Sequence, residues 1–392
     1  MDLVLKPEAS KLLLKIPTTG KSIIPATSLI KITIIKDEKY TNELDIEANG
    51  YLRLEKTNTD YSIRMKIPAR INYITTEKEI VLPEKIKQLL SPLTSLEKDI
   101  EITIDENNCQ LKAGKTKYKI PKMDTDLFIP IEDPKEDSTT EIKLNGNLLK
   151  NLIKRVIHSA GKKNENFSIV EINISPIELK TAATNSFTLS IAKTENSHQL
   201  IKVKEIPTKI NIPIEAVPLI EKIVPSENIT IKDYENKIVI IDELENIEIQ
   251  ITKTEEKLPD YSKIVESLET REDQTQIIVN KEELKNLIKR ALVVVEDTKK
   301  IYIKIDPNEN KIIASASELE NRFIEDLTSC QIENPKDIEI AINGSFLLNA
   351  LSQIDSEEAK LIIYDKNSPV VVKDANEPEN EIKQIEIIAP MN

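Results

Sequence analysis

The heptapeptide LKNLIKR occupies Leu149–Arg155 and returns, letter for letter, at Leu284–Arg290, 135 residues later in a chain of 392. Both copies lie in segments with helical spacing. In NGNLLKNLIKRVIHSA (145–160), Leu149, Leu152, Ile153, Val156 and Ile157 recur at three- and four-residue steps, while Asn151, Lys154, Arg155 and His158 fall on the other face. NKEELKNLIKRALVVV (280–295) repeats the pattern with Leu284, Leu287, Ile288 and Ala291 inward. PEASKLLLKIP (7–17) is a third version, with Ala9, Leu12, Leu13 and Ile16 in those places and Pro17 ending the helix.

A second helix type keeps its own period. LPEKIKQLL begins at Leu82, IPIEAVPLI at Ile212 and INGSFLLNAL at Ile342, 130 residues apart each time. The rest reads as short Ile/Val-rich strands: KSIIPATSLIKITIIKD, EIVLP, DIEITIDEN, SIVEINIS, KIVIID, IEIQITK, IYIKID and LIIYDKN. Two helix types recurring in one order at one period predict an α+β fold of three tandem copies of a two-helix, two-sheet domain. The joints fall in Met123–Thr140 and Lys257–Thr275, both rich in Pro, Asp, Glu and Thr.

Composition narrows the function. Apolar residues make up 39% and charged residues 31%, the balance of a folded chain long enough for two to four domains. Glu8 and the early lysines interrupt any signal peptide, and no run approaches a membrane span, which argues for the cytosol. Two cysteines, Cys109 and Cys330, predict buried free thiols rather than a disulfide framework. Two histidines, His158 and His198, leave a zinc site without ligands. Six glycines form no phosphate cradle, and no nucleophile–His pairing is visible. The expectation is a non-enzyme with no cofactor and no metal.

The net charge of −13 argues against nucleic acid, but its distribution does not. The six helical segments together carry +6, which leaves −19 on the rest. If equivalent helices line one surface, that surface is positive in an acidic protein and neutralises phosphates without reading bases. With only 4% aromatic residues there is no stacking platform, so duplex fits better than single strand. The other reading is a three-domain interaction scaffold without DNA, whose lysines are merely solvated.

The chain resembles the bacterial DNA polymerase sliding clamp, the beta subunit of the replicative polymerase, along its whole length. KTAATNSFTLS is similar to that family's ATDGHRLA segment, KLPDYSKIV to its FPDYxxxxP segment, and NSPVVVKD and IEIIAPMN to its last strands and MPMR-type tail. The resemblance implies clamp domains at 1–128, 138–256 and 257–392. It also implies a head-to-tail homodimer, a six-domain ring that encircles duplex DNA and tethers the polymerase. Polymerase, clamp loader and repair proteins would dock through short linear peptides.

The implied peptide cleft comprises Phe167, Thr184, Ser186, Phe187, Thr188 and Leu189, then Pro259, Lys263 and Ile264, then Pro369, Ile387, Ala389, Pro390 and Met391. Ser186-Phe187-Thr188 stands where the family has Gly-His-Arg, which predicts a more apolar cleft. For the DNA channel the resemblance marks Lys21, Lys85, Lys162 and Lys163. The helix faces add Lys150, Lys154, Arg155, Lys285 and Lys289. For the dimer joint, Lys115, Lys117, Tyr118 and Ile120 would meet an exposed patch of Val293, Val294 and Val295, followed by Glu296 and Asp297.

Overall fold

The structure, a computed structural model, describes residues 1–18, 25–42, 44–74, 78–163, 165–203, 208–244, 246–295, 297–318, 322–376 and 382–391. The first third runs β1 (Asp2–Leu5), α1 (Pro7–Leu13), β2 (Leu29–Lys36), β3 (Gly50–Thr57), β4 (Tyr61–Tyr73), β5 (Glu79–Pro83), α2 (Ile86–Thr94), β6 (Ile100–Ile104), β7 (Asn108–Ala113) and β8 (Thr116–Pro121). The middle third runs β9 (Thr140–Asn145), α3 (Gly146–Val156), β10 (Ile169–Ile174), β11 (Glu178–Thr184), β12 (Thr188–Glu195), β13 (His198–Val203), β14 (Thr208–Pro213), α4 (Val217–Ile223), β15 (Asn228–Asp233), β16 (Lys237–Asp242) and β17 (Ile247–Thr252). The last third adds a helix in front, α5 (Ser262–Glu269). It then runs β18 (Thr275–Asn280), α6 (Lys281–Val294), β19 (Lys300–Asp306), β20 (Lys311–Glu318), β21 (Arg322–Glu333), β22 (Ile338–Asn343), α7 (Gly344–Leu351), β23 (Glu358–Ile363), β24 (Val370–Asp374) and β25 (Lys383–Ile388).

The pairings repeat with the order. The first strand of each third lies antiparallel to the end of that third's long strand: β1 on β4, β9 on β13, β18 on β21. β12 and β13 are the long strand of the middle third, broken in two. Each third closes with an antiparallel meander: β6–β7–β8, β15–β16–β17, β23–β24–β25.

The chain divides into two compact units, residues 1–148, 198–205 and 215–253, and residues 149–197, 206–214 and 254–392. The division crosses the middle third because its strands are shared out. β9, β13 and β15–β17 belong to the sheet of the first unit; β10, β11, β12 and β14 belong to the sheet of the second.

In the first unit Leu3, Leu13, Ile16, Ile30, Leu52 and Ile102 surround a dry core under α1 and α2. In the second unit β23–β25 are apolar on both faces. Leu361, Ile363, Val370 and Val372 turn toward α6 and α7, while Ile362, Tyr364, Val371 and Ile385 turn toward α5. Alternate side chains leave a strand on opposite faces, so a sheet covered on both sides needs unbroken apolar runs.

The helix faces follow the sequence with two exceptions. Leu149, Leu152, Ile153 and Val156 are fully buried, as are Leu284, Leu287 and Ile288, with Ala291 1% exposed. In α1 it is Ser10, not Leu12, that is buried beside Ala9 and Leu13, its hydroxyl donating to the Pro7 carbonyl at 2.7 Å. Ile157 leaves the apolar stripe because the chain tightens into a 3-10 turn over Ile157–Ser159. Cys109 is buried as expected, but Cys330 is only half-buried. The segment expected to be a plain joint at Lys257–Thr275 contains α5, whose Leu268 is buried.

Candidate functional site

Of the expected cleft residues, Thr184, Ser186, Phe187, Thr188 and Leu189 lie with Ile387 and Ala389 at the hairpin between β11 and β12, whereas Met391 donates its N–H to the Ala341 carbonyl at 2.8 Å. Asn185 Oδ1 accepts from the backbone N–H groups of Phe187 and Thr188 at 3.0 and 2.9 Å and from the Thr188 hydroxyl at 3.1 Å. Thr184 donates its hydroxyl to the Thr188 carbonyl at 2.6 Å. This clamped turn holds Ser186 at φ +76° and leaves Phe187 63% exposed. The tail runs alongside. Ala389 N–H donates to the Phe187 carbonyl at 2.8 Å, and β25 pairs with β12 from Thr188↔Ile388 to Lys193↔Lys383. Leu189 and Ile387 are each 6% exposed in one apolar cluster, with Phe167 packed against it. Ile264, Lys263 and Pro259 are exposed, while Pro369, Pro390 and Met391 are half-buried.

Three anchors of this region were not singled out from the sequence. Tyr261, of the PDY segment, is buried and donates its hydroxyl to Glu171 Oε1 at 3.0 Å. Burial, then the Glu171 carboxylate, push that hydroxyl far above the ordinary tyrosine range. Glu256 accepts from the backbone of Phe167 and, at 3.1 Å, from the backbone and hydroxyl of Ser168, which pins Phe167 at φ +62°. Glu386, 1% exposed on β25, accepts from Ser190 Oγ at 2.5 Å and from Gln384 Nε2 at 2.5 Å, with His158 Nε2 at 3.1 Å. A buried carboxylate needs this many partners, and here they come from both strands of the β12–β25 joint and from the turn after α3.

A concavity lies between α5 and the sheet. About 400 Å³ of space is lined by Val265, Leu268 and Glu269 of the helix and by Ile362, Tyr364, Val371, Ile385 and Ile387 of the sheet. Of the expected cleft residues only Ile387 reaches it. No amphipathic signal was read in SKIVESLE, so this space was not foreseen.

The expected DNA-channel residues divide. Lys85, Lys154, Lys162, Lys163 and Lys289 are exposed and Lys150 is half-buried. Arg155 is committed elsewhere: its guanidinium binds the Gln353 carbonyl at 3.1 Å and pairs with Asp355 beyond α7, so it braces the fold. Lys285 pairs with Glu282 at 2.9 Å one turn before it. Lys21 lies outside the described residues. Helices of each unit are neighbours. Lys87 of α2 donates to the Ile16 carbonyl after α1 at 2.6 Å, and Lys281 of α6 donates to the Ile354 carbonyl after α7 at 2.7 Å.

Of the expected dimer residues, Lys115 and Lys117 are exposed, Tyr118 half-buried and Ile120 buried. The valine patch shrinks to one. Val293 is 65% exposed, Val294 packs partly on the core, and Val295, 1% exposed, is inside it. The helix ends at Val294, and the chain's turn there points Val295 inward. Glu296 lies outside the described residues. Among the described residues there is no cluster of His, Cys, Asp or Glu fit for a metal ion, and no helix long and apolar enough to cross a membrane.

Two antiparallel sheets built from one repeated strand–helix order, with long strands zipped end to end, define a clamp-type α+β fold. The comparisons agree. Residues 268–391 match the family model described as the DNA polymerase III beta subunit, C-terminal domain. The Beta sliding clamp of Mycoplasma genitalium is 24% identical over 346 residues, 84% of this chain and 86% of its own length. That of Buchnera aphidicola subsp. Rhopalosiphum padi is 25% identical, over 85% and 87%. The crystal structure of the DNA polymerase III subunit beta from Pseudomonas aeruginosa superposes with a TM-score of 0.83 at 17% identity over the full length of both chains, a likeness of fold. The chain is thus similar to beta sliding clamps, as the resemblance of the hairpin, PDY and tail segments led one to expect. The function read from the sequence, a sliding clamp, is the one their name states.

Proposed function

We propose that this chain is a cytoplasmic DNA sliding clamp: three tandem domains, 1–128, 138–256 and 257–392, that pair with a second copy into a six-domain ring around duplex DNA. The observation that carries the ring is the rule of its strand joints. β17, the last strand of the middle third, pairs along Tyr61–Met65 of β4, and β25 pairs along Thr188–Lys193 of β12. Each third therefore docks its final strand on the first half of the preceding long strand. By that rule the final strand of the first third and the first half of the last long strand have no such partner among the described residues: β8 pairs only with β7, and Arg322–Ser329 of β21 only with β20, beside the ordinary sheet edges β5, β14 and β22. Exposed strand edges invite pairing, and a second copy placed head to tail satisfies both ends twice over.

The side chains at these ends support the match. Exposed Lys117 and Lys119 on β8 face the sign of Glu325 and Asp326 on β21. Half-buried Tyr118 offers apolar surface for Val293, while Ile120 is buried within its own fold, and Leu327 of β21 is 49% exposed. The two internal joints carry comparable polar ties. Arg64 of β4 binds Glu248 of β17 at 3.0 Å, and Ser190 of β12 binds Glu386 of β25.

In this reading Lys150, Lys154 and Lys289 on the helices, Lys85 ahead of α2 and Lys162 and Lys163 in the loop after α3 give loose, sequence-independent contacts to phosphates, and Lys21 and Lys285 join them. The cleft around Phe187, Leu189, Ile264 and Ile387 takes the linear peptides of polymerase, clamp loader and repair proteins. An extended peptide with Leu or Phe anchors suits its apolar floor.

The test is retention on DNA. The protein is loaded by its clamp loader on a nicked circular plasmid, isolated by gel filtration at about 0.2 M salt, and the DNA is then cut. Retention on the circle and loss on cutting are expected, because a protein held only by phosphates is weakened by salt and indifferent to ends. Loss from both forms, with a competent loader and a dimer confirmed by mass, would replace the clamp with an interaction scaffold.

A further inference from the structure

We propose that the space of about 400 Å³ between α5 and β23–β25 is a binding site for a small amphipathic anion, an apolar body carrying one carboxylate. The whole site lies within the second unit and needs neither ring nor DNA. Much of its lining is apolar. Leu268 of α5, Ile362 of β23, Val371 of β24 and Ile385 of β25 are each at most 8% exposed, and half-buried Val265 of α5 packs against the same cluster. A space of this volume with apolar walls and a few polar groups holds one small molecule.

The polar groups fix the sign of the ligand. β23 and β24 run antiparallel with Lys360 directly opposite Lys373, and both side chains line the space. Directly opposed residues of an antiparallel pair share one face with Cβ atoms about 5 Å apart, and like charges there repel. The two carboxylates nearby do little to offset this. Glu269 of α5 reaches Lys373 at 3.9 Å with 57% of its own side chain exposed. Asp374 is committed elsewhere: its Oδ1 accepts from the N–H groups of Asp355 and Ser356 at 2.9 and 2.8 Å and from the Ser356 hydroxyl at 2.8 Å. Lys360 has no ion pair among the described residues. A carboxylate accepting from both ammoniums relieves their repulsion, while an apolar body covers Ile362 and Ile385 beside them.

The sheet also limits the size of the ligand. β18, β23, β24 and β25 are each paired on both sides, so their N–H and C=O groups are committed to the ladder. An extended peptide would find no main-chain partners on this face, whereas a molecule whose polar group is its head needs none. Ile387 belongs both to this lining and to the expected peptide cleft, so the experiment must tell the two sites apart.

The probes are decanoate, 1-decanol and decyltrimethylammonium, titrated into the full chain by calorimetry, with isoleucine methyl NMR to locate them. In the parent, decanoate should bind about tenfold tighter than 1-decanol, the share of one charge-assisted contact, with the cation weakest. The Ile362 and Ile385 methyl signals should move, and that of exposed Ile264 should not. Lys360→Gln and Lys373→Gln should each remove most of the preference for decanoate and leave 1-decanol binding as it was. Val265→Trp fills the space and should weaken both probes; should that variant not fold, the lysine changes carry the test. Phe187→Ala, at the tip of the hairpin, should behave as the parent. Equal affinities for decanoate and 1-decanol, or a preference untouched by both lysine changes, overturn the proposal. Movement of Ile264 together with loss of binding in Phe187→Ala assigns the probe to the hairpin cleft and overturns it too, as does the absence of binding by every probe.

Discussion

At the scale of single residues, the hairpin before β12 stores strain. Ser186 sits at φ +76°, a region where a side chain meets its own carbonyl and glycine does not. The sliding-clamp pattern that the segment resembles has glycine there. Ser186→Gly should stabilise the fold by up to about 1 kcal/mol, read as a shifted midpoint in urea unfolding with an unchanged slope. A lower midpoint would mean that the side chain is fixed by something other than the turn. Tyr261 shows the opposite case, a residue whose polar tip is indispensable. Tyr261→Phe leaves Glu171, 2% exposed, with Lys209 at 3.2 Å as its remaining charged partner. A loss of about 1–2 kcal/mol is expected in the same unfolding experiment. No loss would mean that the hydroxyl contributes nothing net.

At the scale of elements, α5 and the end of α6 carry the lesson. SKIVESLE has few apolar residues and follows Pro259, so its segment read as a joint. It is a helix because β23–β25 present it a second apolar face, which no local pattern could announce. ALVVVED read as an exposed valine patch, but the termination of α6 at Val294 turns Val295 into the core and leaves Val293 outside. That makes Val293 the residue on which to test the proposed dimer joint. Val293→Glu should leave the monomer folded, since the side chain is 65% exposed, and weaken dimerisation by roughly tenfold or more. Analytical ultracentrifugation across a concentration series measures it. An unchanged dimer would move the joint away from α6, and far-ultraviolet circular dichroism would exclude unfolding as the cause of a loss.

At the scale of the whole chain, one rule of strand docking is used twice internally, β17 on β4 and β25 on β12. The sequence by itself determined the threefold order, the inward faces of α3 and α6, the absence of glycine-rich cradles and the positive bias of the helical segments. These follow from local periodicity and composition, which survive without knowledge of what packs where. Only the tertiary structure decided that the middle third shares its strands between two sheets. Only there does Arg155 turn away from solvent to Asp355, and only there does the Tyr261 hydroxyl reach Glu171. An ion pair, a buried hydrogen bond and a second apolar face are properties of residues brought together across the chain. Spacing along it cannot express them.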